Sequence, residues 1–168
     1  MKLEIITERM QLSPVTEADT DELHQLWTQP EVRKYLFDDR VIEVSQTQQI
    51  VTQSISAFSD REYGLWLARL LNTQLIIGFC GYWPFLEPPQ IQLIYGLSAQ
   101  YWSRGLATEM ARAAIDYGFR ECDFKIIYAS TDVPNKASIA VMKRLGMTYQ
   151  KQKEVNGQEI IFYQLNRD

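Results

Sequence analysis

The chain has 168 residues, with 17 Lys and Arg against 21 Asp and Glu, a net charge of −4, one histidine and two cysteines. This length suits one domain, residues 1–168, that buries its own core without disulfides or a structural metal. Two cysteines make no disulfide framework, no leader opens the chain and no apolar run reaches membrane-spanning length, so the expected setting is the cytoplasm with no membrane partner. The acid excess argues against a nucleic-acid partner, which selects for a basic face, and suits a cationic amine.

Hydrophobic periodicity and turn residues predict a strand near Leu3 to Ser13, then helices at about Thr16 to Trp27, Glu31 to Leu36 and Val44 to Phe58. Gly64 to Leu70 and Leu75 to Gly81 flank Leu71-Asn72-Thr73-Gln74 as a hairpin. The proline-rich stretch Trp83 to Gln90, W-P-F-L-E-P-P-Q, reads as a loop. A strand at Ile91 to Leu97 precedes a helix from near Arg104 to about Phe119, and Lys125 to Ser130 is a further strand. Another helix opens at Pro134-Asn135, carries Ala137, Ala140, Val141 and Leu145 at helical spacing, and stops at Gly146. Met147 to Lys153 and Gln158 to Leu165 then flank Asn156-Gly157, a strong two-residue hairpin signal. The layout is α/β with a mixed sheet.

Trp102 to Glu109, W-S-R-G-L-A-T-E, joins a strand to a helix. The first turn of a helix offers unpaired N–H groups and a positive dipole end, which suits a diphosphate. Gly105 and Ala107 leave room for it, Arg104 adds a guanidinium, and Ser103 suits the N-cap. Alone, Gly105 more readily marks a plain helix start. Asn135 to Met147, N-K-A-S-I-A-V-M-K-R-L-G-M, is by itself an ordinary amphipathic helix.

Together the two segments resemble the GNAT superfamily of acyl-CoA-dependent N-acetyltransferases, whose phosphate turn Q/R-x-x-G-x-G/A precedes a helix that begins N-x-x-S and ends K-x-L-G-F. Trp102 to Glu109 is similar to the W-G-K-G-Y-A-T-E form of the bacterial branch that acetylates protein N-termini, including those of ribosomal proteins at alanine or serine. Thr7-Glu8-Arg9-Met10-Gln11-Leu12 and Pro30-Glu31-Val32-Arg33-Lys34-Tyr35-Leu36 resemble that branch's T-E-R-L-x-L and P-E-V-x-x-Y-L. The resemblance spans nearly the whole chain.

It implies a GNAT-like, mostly antiparallel central sheet of about seven strands with flanking helices. The fourth and fifth strands, Ile91 to Leu97 and Lys125 to Ser130, would splay to hold acyl-CoA, whose extended amide arm can bond an open strand edge as another strand would. Gly96 fits such a close approach, or equally leaves room for a neighbouring aromatic. By the same resemblance acetyl-CoA touches Leu97, Ser98, Trp102, Ser103, Arg104, Gly105, Leu106, Ala107, Thr108, Asn135 and Ser138, with Lys136 as a weaker phosphate cation and no metal. A backbone N–H near Leu97 would polarise the thioester, Asn135 and Ser138 would lie near the sulfur, and Ser138 is the candidate general acid. The tyrosine acid of another branch has no counterpart, because Met142 stands in its place. Gln92 stands where many relatives carry a glutamate base, which leaves Glu87 in the preceding loop as candidate base through a water.

An α-amine titrates near 7.7 to 8.0 and a lysine near 10.4, a gap of roughly 3.4 kcal/mol, so loss of the strand glutamate favours an α-amine. The expected function is transfer of acetyl from acetyl-CoA to a primary amine of a small molecule or protein N-terminus, by direct attack in a ternary complex, in a monomer or homodimer. A non-catalytic acyl-CoA-binding or sensing module is the alternative, since the cofactor signature is stronger than the catalytic one. A nucleotide-binding domain lacks its G-x-G-x-x-G or G-x-x-x-x-G-K-[ST] sequence here. His24 has no triad or metal partners in sequence, and Cys80 and Cys122 lack the positive surroundings of a thiolate. Tyr82, Trp83, Phe85 and Tyr95 suit core or pocket wall, as Glu31 to Tyr35 suit helix packing or an acceptor wall.

Overall fold

The computed structural model describes residues 3–168, and its eight strands form one sheet. In chain order these are β1 (Ile5–Ile6), β2 (Met10–Pro14), β3 (Leu65–Leu70), β4 (Gly78–Phe85), β5 (Gln90–Leu97), β6 (Ile126–Asp132), β7 (Thr148–Val155) and β8 (Gln158–Asn166). Five helices accompany them: α1 (Thr20–Trp27), α2 (Pro30–Leu36), α3 (Val44–Arg61), α4 (Leu106–Arg120) and α5 (Lys136–Arg144). The strand order is β1-β2-β3-β4-β5-β6-β8-β7, and every neighbouring pair is antiparallel except β5 with β6. Among the described residues no helix is long and apolar enough to cross a membrane.

The expected first strand is two strands, because the Thr7 N–H and hydroxyl both close onto the Met10 carbonyl, at 2.9 and 3.3 Å, and fold Ile5–Ile6 back on Gln11 and Leu12. That raises the strand count from about seven to eight. The first turn of the expected Thr16 helix is a separate 3-10 turn, Glu17–Asp19, held by the Asp19 carboxylate on the Thr16 N–H at 2.8 Å. Half of the proline-rich stretch, 83–85 and 90, is strand, and only 86–89 form the expected loop. β4 runs through Pro84 to Phe85, and a short turn at 86–89 leads into β5. Proline is tolerated there because β3 pairs with β4 only as far as Gly81, so no neighbour needs the missing N–H. The Asn156-Gly157 hairpin forms as its turn chemistry requires, with φ of 50° and 81°.

Side chains alternate across the strands and build a core on each face. Under α4 and α5 lie Trp66, Cys80, Tyr82, Leu93, Ile127 and Ala129; under α1 to α3 lie Leu65, Leu67 and Phe79 with Leu23, Trp27 and Val51. α4 buries Leu106, Met110 and Ala114 at four-residue spacing. Each large side chain so buried contributes about 1.5–3 kcal/mol. The result that matters for function is that the ends of β5 and β6 lie side by side with helices on both faces of the sheet.

Candidate active site

β5 and β6 share one registered pair, Gln92 with Tyr128. Past that pair their C-terminal ends border a cleft of about 1380 Å³, which α2, the first turn of α4 and the helix α5 also line. Leu97 lines it from β5. The Ser98 N–H donates to the Ile77 carbonyl at 2.8 Å on the β4 side, so strand alternation turns the Leu97 N–H the other way, toward β6 and the cleft. Ser98 itself is buried outside the lining, its hydroxyl donating to Gln29 Oε1 at 3.0 Å. Gly96 also lines the cleft, and a Cβ there would come within 2.5 Å of the Phe79 ring, so the packing of that aromatic already calls for glycine.

The turn before α4 is where the sequence places it. Trp102, Ser103, Gly105, Leu106, Ala107 and Thr108 all line the cleft, and Trp102 Nε1 donates to the Leu97 carbonyl at 2.8 Å, fixing the turn to β5. The N-cap is Gly105 rather than Ser103: at φ 76° Gly105 is left-handed, a conformation that glycine adopts without a Cβ penalty, and Ser103 lies two residues further out. Arg104 is not in the lining. Its guanidinium lies 5.6 Å over the Tyr101 ring, and the cations that line the cleft are Lys34, Lys136 and Arg144.

A clamp from the chain's beginning holds this turn. Glu109, in the first turn of α4, accepts from the Thr7 hydroxyl at 2.7 Å, the Arg9 N–H at 2.9 Å and the Arg9 guanidinium, which approaches to 2.6 Å. Arg9 also donates to the Arg104 carbonyl at 2.8 Å. Burial pushes the Glu109 carboxyl up, but Thr7 and then Arg9 outweigh it and hold the pKa below its usual value. The separate T-E-R and A-T-E motifs are thus two halves of one contact.

On α5, Asn135 caps the helix, accepting from the Ser138 N–H at 3.3 Å while its amide donates to Thr131 Oγ1 at 3.0 Å. Asn135 and Ser138 both line the cleft. Ser138 Oγ lies 2.9 Å from the Tyr95 hydroxyl, a partner the sequence does not reveal. Tyr95 also lines the cleft with Phe85, whereas Tyr82 is core and Trp83 packs under α1 to α3. Glu87 is not brought to this group: it is exposed in the 86–89 turn, outside the lining. Gln92 is buried and engaged, its carbonyl oxygen accepting from Ser130 Oγ at 2.6 Å.

Two residues in the same wall were missed. Asp38, on the loop after α2, and Asp132, at the end of β6, face the cleft as carboxylates, and neither belongs to a motif. The other conspicuous groups are structural. His24 Nδ1 lies 2.7 Å from Thr47 Oγ1 and ties α1 to α3. Burial raises the Cys80 thiol well above its usual value, and burial with nearby Glu62 and Glu121 raises Cys122 to about 11. Among the described residues no three or more His, Cys, Asp or Glu side chains are grouped to hold a metal.

Residues 9–148 match the family described as the Acetyltransferase (GNAT) domain. The chain belongs to this family and is an acetyl-CoA-dependent acetyltransferase. It is 33% identical over 162 residues to the uncharacterized protein YkkB of Bacillus subtilis (strain 168), covering 89% of this chain and 88% of that one. It is 28% identical over 149 residues to the uncharacterized N-acetyltransferase p20 of Bacillus licheniformis, covering 88% and 83%. Its fold is similar to that of RimL, a ribosomal L7/L12 alpha-N-protein acetyltransferase solved in complex with coenzyme A, at a TM-score of 0.80 and 19% identity over 96% of each chain.

The cleft fits this co-substrate. A Cβ at Gly105 would meet nothing closer than the Arg9 guanidinium at 3.5 Å, so no side chain crowds the turn, and Lys136 and Arg144 supply positive charge to the same cleft.

Proposed function

We propose that the protein transfers acetyl from acetyl-CoA to a primary amine, with a protein N-terminal α-amine as the favoured acceptor, in a ternary complex within one acyltransferase domain. The observation that carries this reading is the convergence in one cleft of the left-handed Gly105 turn, the Leu97 N–H and the Ser138 hydroxyl. The N–H groups of the first α4 turn, with Lys136 and Arg144, hold the diphosphate, while Trp102, Ser103, Leu106, Ala107 and Thr108 wall it. The Leu97 N–H meets the negative charge that develops on the thioester oxygen. Ser138, aligned by Tyr95, passes a proton to the departing sulfur, and Asn135 fixes the helix start that presents it. Acetyl-CoA supplies the acyl group already activated as a thioester.

Three points support the α-amine. It is neutral at lower cost than a lysine by roughly 3.4 kcal/mol. Gln92, neutral and hydrogen-bonded, leaves β5 without the glutamate that would assist a more basic amine. The fold neighbour RimL bears the description of an alpha-N-protein acetyltransferase. Free thiols at Cys80 and Cys122 fit a cytoplasmic setting.

The test is acetyl-CoA consumption with a peptide bearing a free N-terminus against one that is capped and contains lysine. Faster turnover of the free N-terminus is expected; preference for the capped lysine peptide overturns the α-amine assignment. Binding of CoA with no thioester consumption across peptides and small amines would instead favour a sensing module.

A further inference from the structure

Asp132 is a buried carboxylate that the described machinery does not use. It ends β6, is 9% exposed and lines the cleft, and its side chain has no hydrogen-bond or ion-pair partner among the described residues. Most of the residue is buried and its oxygens open only on the cleft, so the charge is incompletely solvated and the position favours a ligand of opposite charge.

Strand alternation fixes the side of the sheet on which it acts. Ile127 and Ala129 belong to the core under α4 and α5, so Tyr128, Ser130 and Asp132 point to the other face, the one that α1 to α3 cover. Tyr95 and Ser138 lie on the α4 and α5 face. The two groups therefore flank the opening between β5 and β6 from opposite sides, as an acid and a base on the two sides of a reacting carbonyl must. Asp38 lines the same mouth from the α2 side, and burial followed by the Asp38 charge raises the Asp132 carboxyl above its usual pKa. The other charged side chains in the cleft wall are Glu31 and Lys34 on α2, and Lys136 and Arg144 on α5, across the sheet.

We propose that Asp132, with Asp38 opposite, receives the acceptor's ammonium group and takes its proton, acting as the general base that Gln92 cannot be. This rests on the acetyltransferase reading above. The ammonium gives one proton to an Asp132 carboxylate oxygen, and the freed lone pair forms the C–N bond to the acetyl carbonyl carbon. The C–S bond breaks and the electron pair leaves on sulfur, which takes a proton through Ser138. The nitrogen's second proton, lost as the amide forms, balances that uptake, and Asp132 returns the first to water. Two carboxylates at the mouth also set the acceptor's class. It is a primary amine with no carboxylate beside the nitrogen: a peptide N-terminus or a polyamine fits, and a free amino acid does not.

The experiment uses an alanine-initiated tripeptide amide, spermidine and free alanine with wild type, Asp132→Asn, Asp132→Glu and Asp38→Asn. Calorimetry on the CoA-bound protein reads amine binding, and kinetics read kcat/KM against pH. Asp132→Asn is expected to weaken binding of the better cationic probe at least tenfold, lower its kcat/KM by about 10² to 10⁴, and leave CoA affinity within about twofold. The deficit should shrink as pH rises past the probe's own pKa, where the amine arrives neutral. Asp132→Glu should recover part of the rate, Asp38→Asn should raise KM more than it lowers kcat, and free alanine should be the poorest acceptor. Wild-type binding and kcat/KM in Asp132→Asn overturn the proposal, as does a loss of CoA affinity that accounts for the whole effect. If the wild type binds the cationic probes through Asp132 but consumes no thioester, the ammonium site stands and the acetyl-transfer reading fails.

Discussion

The Tyr95 hydroxyl on β5 lies 2.9 Å from the Ser138 hydroxyl on α5 and donates to the Ser138 carbonyl at 3.0 Å. One phenol thus sets both the rotamer of the serine and the seat of the helix turn that carries it. Burial pushes the Tyr95 phenol up to about 12, with Ser138 drawing it back, so it stays a protonated donor at neutral pH. Ser138→Ala should lower kcat by about 10², with little change in the KM for acetyl-CoA. Tyr95→Phe should cost about tenfold, the worth of one hydrogen bond of about 1 to 1.5 kcal/mol. The double variant should be no slower than Ser138→Ala, because Tyr95 acts through the serine. Steady-state kinetics on the four proteins check the cycle.

The Glu109 clamp predicts a pH-dependent stability term. Because the folded pKa of Glu109 lies below its unfolded value, its stabilising contribution is fully present above the unfolded pKa, near about 4.3, and is lost as pH falls through the folded pKa. Glu109→Gln should therefore lower Tm at pH 7 and match wild type once the pH falls well below 4. Thermal melts across that range measure it. The same substitution should weaken CoA, since Arg9 bridges Glu109 to the Arg104 carbonyl in the phosphate turn.

The features that could be read from the sequence are local ones. The starts of α4 and α5, the left-handed hairpin at Asn156-Gly157 and the stop at Gly146 follow from turn chemistry carried by adjacent residues. What escaped depends on distant chain. The Glu109 partners lie about a hundred residues away at Thr7 and Arg9, and Ser138 meets Tyr95 only once α5 has docked on β5. Pro84 could not be placed in a strand without knowing that β3 stops at Gly81. Ser103 lost the N-cap to Gly105 by two positions, although both are left-handed, with φ of 62° and 76°. Asp132 carries no motif at all, and only the face that β6 turns toward α2 distinguishes it from the other acids.

Asp132 should show the opposite stability sign to Glu109. Its folded pKa is raised, so the ionised form weakens the fold at neutral pH, and that cost fades as pH falls through the raised folded pKa and is gone below the carboxyl's unfolded value, near about 3.9. Asp132→Asn is expected to raise Tm at pH 7 and to give no gain near pH 3. A lower Tm at pH 7 would mean that the carboxylate holds the fold together.

The positions of the cations predict which substitutions reach the phosphates. Arg104 stacks over Tyr101 outside the lining, while Lys136 and Arg144 line the cleft. Arg144→Glu and Lys136→Glu should weaken CoA more than Arg104→Glu, and the differences should narrow as added salt screens exposed charge. Binding titrations at low and high salt separate these.

Everything turns on whether the Gly105 turn grips a diphosphate. Calorimetric titration of CoA into the folded protein should show one site per chain, lost or severely weakened in Gly105→Asp while the far-UV spectrum is unchanged. No heat of binding with wild type, or equal affinity in Gly105→Asp, would contradict the account.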